Sequence, residues 1–241
     1  MRQNVIEVPF NTENENSAIL FIYPADRPNG KVVIMCPGGG FKQVAMEHEG
    51  KAFATWFNGQ GITYAILKYR MPEGHISYIK EDIRQALLYM RACKEVFHAE
   101  RVGVMGASIG GYIAAMSATS FPPAERPDFQ ILLYPVISMR DEWTHLPSRG
   151  RLLGEEVTVE EQERLSLELH VDSAVPPTFI ALASDDKAVS PMNSISYYIA
   201  LLKEGVSSSL HVYPEGGHSF GFNDSFVYKK EWTEELRKWL E

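Results

Sequence analysis

The sequence predicts an α/β fold: a mostly parallel central sheet of about eight strands with helices on both faces. Three observations carry that prediction. Apolar runs of strand length alternate with stretches of helical spacing from Val32 to the C-terminus, and a helix between successive strands is the connection that parallel pairing requires. Residues 101–119, RVGVMGASIGGYIAAMSAT, read as strand, glycine turn and small-residue helix without a break. The 241 residues suit a single domain, and a chain of that size buries roughly three-quarters of its unfolded surface, so it needs no disulfide to hold it.

Residues 1–16 read as a polar arm. Residues 18–23 form the first predicted strand, Asp26 to Gly30 a turn, and residues 32–36 an apolar strand returning alongside the first as a hairpin. Residues 49–58 read as an amphipathic helix with Ala52, Phe53, Trp56 and Phe57 on one side, and 62–67 as the next strand. Residues 77–95 repeat apolar side chains at Ile79, Ile83, Ala86, Leu87 and Met90, a helical spacing. After the segment around Ser108, residues 129–134 form a buried strand that Pro135 closes. Residues 136–175 break the alternation, and their many charges, scattered apolar groups and Trp143 predict a cap-like excursion packed over the strand ends. Strand 178–183, helix 192–202, strand 210–213 and helix 225–240 complete the single predicted domain.

Gly106-Ala107-Ser108-Ile109-Gly110 fits G-x-S-x-G at a strand-to-helix turn, where the central serine is held in a strained, exposed conformation and a Cβ at either glycine would strike the neighbouring elements. Ser108 is therefore the candidate nucleophile. Gly217-His218-Ser219-Phe220-Gly221 fits the same pattern. Ser219, however, lies several residues past its strand, beside bulky Phe220, and no further histidine follows it.

A serine nucleophile needs a base, an acid to hold that base, and donors for the oxyanion. Open parallel sheets place such groups past the C-terminal ends of their strands. His218 follows the last strand on the glycine-rich loop 215–217, so it is the candidate base ahead of His145, His170 and His211. Asp185 and Asp186 both follow strand 178–183, and spacing alone leaves the choice between them open. Pro37-Gly38-Gly39-Gly40-Phe41 follows the first apolar strand, and its glycines allow backbone N–H groups to turn towards Ser108, with the Ile109 amide completing an oxyanion hole. A phosphate-binding loop is the competing reading, but G-x-G-x-x-G is not met and no Lys-Ser/Thr pair follows.

The net charge of −8 and isoelectric point near 5.4 argue against nucleic acid or an anionic membrane as partner. Cys36 and Cys93 are expected to be buried free thiols. No stretch has the length and apolarity of a leader or a membrane span. The chain as it stands reads as cytoplasmic, and as periplasmic or secreted if a leader precedes it. A monomer or a homodimer is expected.

Taken together, CPGGGF at 36–41, HEGKAFATWF at 48–57, LKYR at 67–70, DIRQAL at 82–87, GASIGG at 106–111, PPTFIALASDDKAVSPMNS at 176–194 and YPEGGHSFGF at 213–222 make the chain similar to the α/β-hydrolases. More narrowly it resembles their carbohydrate-esterase branch, which includes acetyl-xylan esterases and esterase-lipase proteins labelled sugar hydrolases. The resemblance covers nearly everything from Val32 onward. It implies that the acid is Asp186, followed by Val189 and Pro191, and that Gly39 and Gly40 donate to the oxyanion. It also implies a serine carboxylesterase acting on short acyl esters of sugars, such as acetylated xylo-oligosaccharides. Related lipases carry histidine before the glycines where this chain has Pro37, so those lipases' alcohol-pocket details do not carry over. Phe41, Tyr112 and Trp143 are the candidates for an aromatic floor under a sugar ring. Serine, histidine and aspartate need no metal, and no metal or cofactor is expected. Two other readings stand beside this one: a peptidase related to prolyl oligopeptidases, and a non-catalytic binding protein on the same fold.

Overall fold

The computed structural model describes residues 5–10 and 17–241. Its strands are β1 (Ile6–Phe10), β2 (Ala18–Tyr23), β3 (Lys31–Cys36), β4 (Thr63–Lys68), β5 (Arg101–Ala107), β6 (Gln130–Leu133), β7 (Thr178–Ala183) and β8 (Ser208–Tyr213). Its helices are α1 (Ala54–Gly59), α2 (Ile76–Ala92), α3 (Lys94–Phe97), α4 (Ile109–Thr119), α5 (Leu146–Leu153), α6 (Val159–Leu165), α7 (Met192–Lys203) and α8 (Lys229–Trp239). The strands form one sheet in the order β1-β2-β4-β3-β5-β6-β7-β8. β4, β3 and β5 to β8 run parallel, while β2 is antiparallel to both β1 and β4.

Successive side chains of a strand point to opposite faces, and β3 shows the consequence. Val32, Ile34 and Cys36 join the core packed beneath α2, α4 and α7, whereas Val33 and Met35 join the core beneath α1 and α8. All five are fully buried, which only a central strand covered on both faces allows. That is why the predicted hairpin does not form: β4 lies between β2 and β3. The turn leading into β3 is tied elsewhere, with Asn29 N–H donating to the Gly61 carbonyl and its side-chain amide to the Gln60 carbonyl.

Other boundaries shift for local reasons. Residues 6–10 of the predicted polar arm pair with β2 as an edge strand, and residues 1–4 and 11–16 lie outside the described residues. The helix predicted from residue 49 begins with a single 3-10 turn, Lys51–Phe53, before α1. The helix predicted over 77–95 ends at Ala92, and a separate turn, α3, follows to bury Phe97. The excursion contains α5, α6 and a 3-10 turn, Leu167–Leu169, of which α6 is opened by a reciprocal cap between Thr158 and Glu161. Asn193 of α7 fastens the excursion down: its Oδ1 accepts from the Ile137 and Ser138 amides and its Nδ2 donates to the Trp143 carbonyl. Both cysteines are free, Cys36 buried and Cys93 only partly so.

Strand order reverses about β3, with β4 on one side and β5 on the other, so the loops leaving β3 and β5 diverge and open a crevice between them. The polypeptide leaves β3 into the glycine loop, β5 into Ser108, β7 into Asp185 and Asp186, and β8 into the His218 loop.

Candidate active site

Ser108 sits between β5 and α4 at φ 54°, ψ −123°, a backbone conformation that costs a non-glycine residue of order 1–3 kcal/mol and persists only where its surroundings enforce it. Three backbone bonds enforce it. The Ser108 amide donates to the Leu133 carbonyl, and its own carbonyl accepts from Gly111 and Val136. The flanking glycines are required by proximity: a Cβ on Gly106 would lie 2.2 Å from the Gly110 carbonyl oxygen, and one on Gly110 would lie 1.9 Å from that of Cys36. The turn thus exists because α4 starts directly against the ends of β5 and β3.

His218 Nε2 lies 2.8 Å from Ser108 Oγ, and its Nδ1 lies 2.7 Å from Asp186 Oδ2. A carboxylate only accepts, so Nδ1 carries the proton and Nε2 is left to accept from the serine hydroxyl. Asp186 is held from behind, its Oδ1 accepting the amides of Ala188 and Val189, each at 2.9 Å. The Asp186 side chain is 2% exposed and that of His218 19%, so the line runs from a dry carboxylate to an imidazole that solvent reaches. The neighbouring aspartate acts on the backbone instead, where Asp185 Oδ1 accepts the Gly217 amide at 2.7 Å and props the loop that carries His218.

The other histidines are placed elsewhere or differently. His170 Nε2 bonds the Glu163 carbonyl, and His211 stacks on Phe179 with ring centres 4.6 Å apart. His145 lies near the site, with Nδ1 2.7 Å from Ser148 Oγ. Burial lowers its proton affinity, and the neighbouring His218 and Arg151 lower it further. No described imidazole bonds the hydroxyl of Ser219.

The glycine loop is left-handed at three successive residues, Gly39, Gly40 and Phe41, with φ of 118°, 63° and 57°. At Gly39 a side chain would collide with the Gln43 carbonyl, 2.1 Å from an added Cβ. The Gly38 amide is already committed to Glu49 Oε2 at 2.8 Å. Among the described residues no acceptor takes the amides of Gly39, Gly40 or Ile109, so all three remain available as donors. Arg151 of α5 donates to the Gly40 carbonyl at 3.1 Å, which lays the excursion against this loop.

The aromatic floor does not form as expected. Phe41 is 3% exposed and packs edge-on against Tyr69. Tyr112 is fully buried because α4 is covered on every side, and its hydroxyl donates to the Leu165 carbonyl. Trp143 is partly exposed, with the Arg140 guanidinium 5.2 Å over its ring. Phe41 and Tyr112 are packing residues.

Two residues that the amino-acid pattern does not single out border the site. Glu49 is 1% exposed, and its Oε1 accepts from the Tyr134 hydroxyl at 3.0 Å. Tyr134, left-handed at φ 37°, sets its ring edge-on to His218 with centres 5.0 Å apart. Glu49 stands among Glu47, His48 and Lys51 in the sequence, so nothing there marks it as the buried one.

A family model described as the prolyl oligopeptidase family matches residues 77–241, and a second, described as BD-FAE, matches residues 20–126. The acetylxylan esterase of Xylanibacter ruminicola is 33% identical over 246 residues, covering 99% of this chain and 51% of that protein. The endo-1,4-beta-xylanase B of Butyrivibrio fibrisolvens is 31% identical over 212 residues, covering 80% of this chain and 33% of that protein. The chain therefore spans between a third and about half of the length of these curated relatives. Among solved structures, the acetyl ester-xyloside bifunctional hydrolase of Caldicellulosiruptor lactoaceticus superposes with a TM-score of 0.89 at 33% identity, covering 98% of this chain and 95% of that one.

Proposed function

The chain belongs to the prolyl oligopeptidase family of α/β-hydrolases, and from that premise we propose that it is a serine ester hydrolase removing acetyl or another short acyl group from carbohydrates, acetylated xylo-oligosaccharides among them. The observation that carries the reading is the unbroken line from Ser108 Oγ through His218 to Asp186, at 2.8 and 2.7 Å. The relatives named for acetylxylan and acetyl ester-xyloside hydrolysis support the substrate class.

In this reading Ser108 Oγ attacks the ester carbonyl as its proton passes to His218 Nε2. The imidazolium that forms is stabilised by Asp186, and the carbonyl oxygen, now an oxyanion, is met by the amides of Gly39, Gly40 and Ile109. Collapse of the tetrahedral intermediate breaks the bond to the sugar oxygen, which leaves with the proton from Nε2. Water then gives a proton to His218 as it attacks the acyl group on Ser108, and collapse of the second tetrahedral intermediate breaks the bond to Oγ, which takes that proton back from Nε2 as the carboxylic acid leaves.

The family's peptidase members supply a second reading, which a panel of proline-containing peptides tests directly. The primary experiment measures acetate released from acetylated xylo-oligosaccharides and from p-nitrophenyl acetate by the unaltered chain and by Ser108→Ala. Loss of nearly all turnover in the variant is expected, whereas equal rates would end the assignment.

A further inference from the structure

We propose that Glu49 is a positioning residue of this site, one whose buried carboxylate holds the glycine loop in the orientation that presents the Gly39 and Gly40 amides to the oxyanion. The inference rests on the reading of Ser108 as nucleophile.

The peptide plane between Pro37 and Gly38 is gripped from both ends. Its carbonyl accepts from the Tyr69 hydroxyl at 2.8 Å and its N–H donates to Glu49 Oε2 at 2.8 Å. The next carbonyl, that of Gly38, accepts the Ala45 amide at 3.0 Å. The left-handed run from Gly39 to Phe41 starts from this pinned plane, and glycine torsions do not maintain a direction by themselves, because glycine populates both signs of φ.

Glu49 also lies close to the nucleophile. A Cβ on Gly38 would lie 2.5 Å from Glu49 Oε2 and 2.8 Å from Ser108 Cβ. Carboxylate and serine therefore border the same small space beside Gly38, which a side chain there would fill. Its other oxygen takes the hydroxyl of Tyr134, whose ring packs against His218. One side chain thus touches the groups that orient the oxyanion donors and the ring beneath the base.

Stability alone is a poor reason for this carboxylate. No lysine, arginine or histidine pairs with it among the described residues, and burying an ion without a counter-ion costs several kcal/mol, which an apolar side chain of similar volume avoids. The position retains an acceptor for two donors that no apolar residue would satisfy.

Glutamine separates hydrogen bonding from charge. In Glu49→Gln the side-chain carbonyl still accepts from Gly38, and the amide donates to Tyr134, whose hydroxyl rotates to accept. Glu49→Ala leaves both donors buried and unmatched. The test compares the unaltered chain, Ser108→Ala, Glu49→Ala, Glu49→Gln and Tyr134→Phe on p-nitrophenyl acetate. Inhibition by phenylboronic acid is measured in parallel, because its tetrahedral adduct with a serine places an oxygen where the oxyanion sits.

Glu49→Ala is expected to lose about 10²-fold in kcat with KM within about threefold, and the boronate inhibition constant should rise by a similar factor. Glu49→Gln should stay within about tenfold of the unaltered chain in both measures, and Tyr134→Phe should lose less than Glu49→Ala. A Glu49→Ala chain that keeps kcat within about threefold while Ser108→Ala is inactive overturns the inference and leaves the hydrolase reading intact. So does a folded Glu49→Gln chain as impaired as Glu49→Ala. Should Glu49→Ala not fold, Glu49→Gln decides alone: a loss above about 10²-fold in kcat overturns the proposal and a loss under about tenfold supports it. Full activity in Ser108→Ala would instead remove the reading on which the inference rests.

Discussion

Replacing Asp186 by asparagine changes one atom at the foot of the site and is expected to disable it without unfolding it. Asp186 Oδ1 accepts the Ala188 and Val189 amides and Oδ2 faces His218 Nδ1 at 2.7 Å. Asparagine keeps its single oxygen for the two amides and so turns an N–H towards the imidazole. Two donors then oppose each other unless the ring moves its proton to Nε2, where it faces Ser108 Oγ and can no longer accept. The Asp186 side chain is 2% exposed, so little water reaches the pair to relieve the mismatch. Loss of this orienting charge in a serine triad costs about 10⁴-fold, which at about 1.36 kcal/mol per tenfold is roughly 5.5 kcal/mol of transition-state stabilisation. The assay is kcat and KM on p-nitrophenyl acetate, with Ser108→Ala as the floor and melting temperature as the control for folding. Asp185→Asn is the paired control, because asparagine at 185 still accepts the Gly217 amide, and it should stay within about tenfold of the unaltered chain. If Asp186→Asn also stayed within about tenfold, or if Asp185→Asn were the more damaging change, the division of labour between the two aspartates would be wrong.

Three further outcomes follow from packing and charge. Gly110→Ala drives a Cβ to 1.9 Å from the Cys36 carbonyl oxygen, between two backbones that cannot both retreat; a loss of about 3 kcal/mol and a melting point lower by at least about 6 °C are expected, and calorimetry showing an unchanged midpoint would refute the close approach of α4 to β3. Burial pushes the Glu168 carboxyl up from its ordinary 4.5, against the pull of the nearby Ser138 hydroxyl, and neither carboxyl oxygen has a hydrogen-bond partner among the described residues. A raised acid contributes stability below its unfolded pKa and loses it as pH rises through the folded value, so Glu168→Gln should gain about 1 kcal/mol in urea unfolding at pH 7 and nothing near pH 4. The Arg126 guanidinium, 7% exposed as a residue and bonded to both oxygens of Asp172, lowers that carboxyl below 3.8. The sign is reversed here: stability is present above the unfolded pKa and lost as pH falls through the folded one. Asp172→Asn should therefore cost about 1–2 kcal/mol at pH 7, kept small because the Asp172 side chain is half exposed, and the difference should close as pH falls through the lowered folded value. Equal stabilities at pH 7 would show that solvent already screens the pair.

What reads directly from the amino-acid order is whatever is decided within one strand and its next turn. The segment from Arg101 to Thr119 announces a strand, a strained serine and a helix, and the glycine at 106 is demanded by the Gly110 backbone four residues on, whereas the glycine at 110 answers to the distant Cys36 carbonyl of β3. The alternation after Val32 likewise announces a parallel sheet, and with it the rim where Ser108, Asp186 and His218 come together. Pairing between distant segments is different. Nothing near β2 records that β4 will occupy the place beside it, since any apolar strand of suitable length could. Apolar spacing says which face of an element must be covered, not what covers it, so Tyr112 reads as a ring available to a sugar until α6 supplies an acceptor for its hydroxyl. Glu49 is the sharpest case. Its two partners, Gly38 and Tyr134, lie 11 and 85 residues away along the chain, and only the folded sheet, by setting the ends of β3 and β6 at the same rim, gives a buried carboxylate anything to hold.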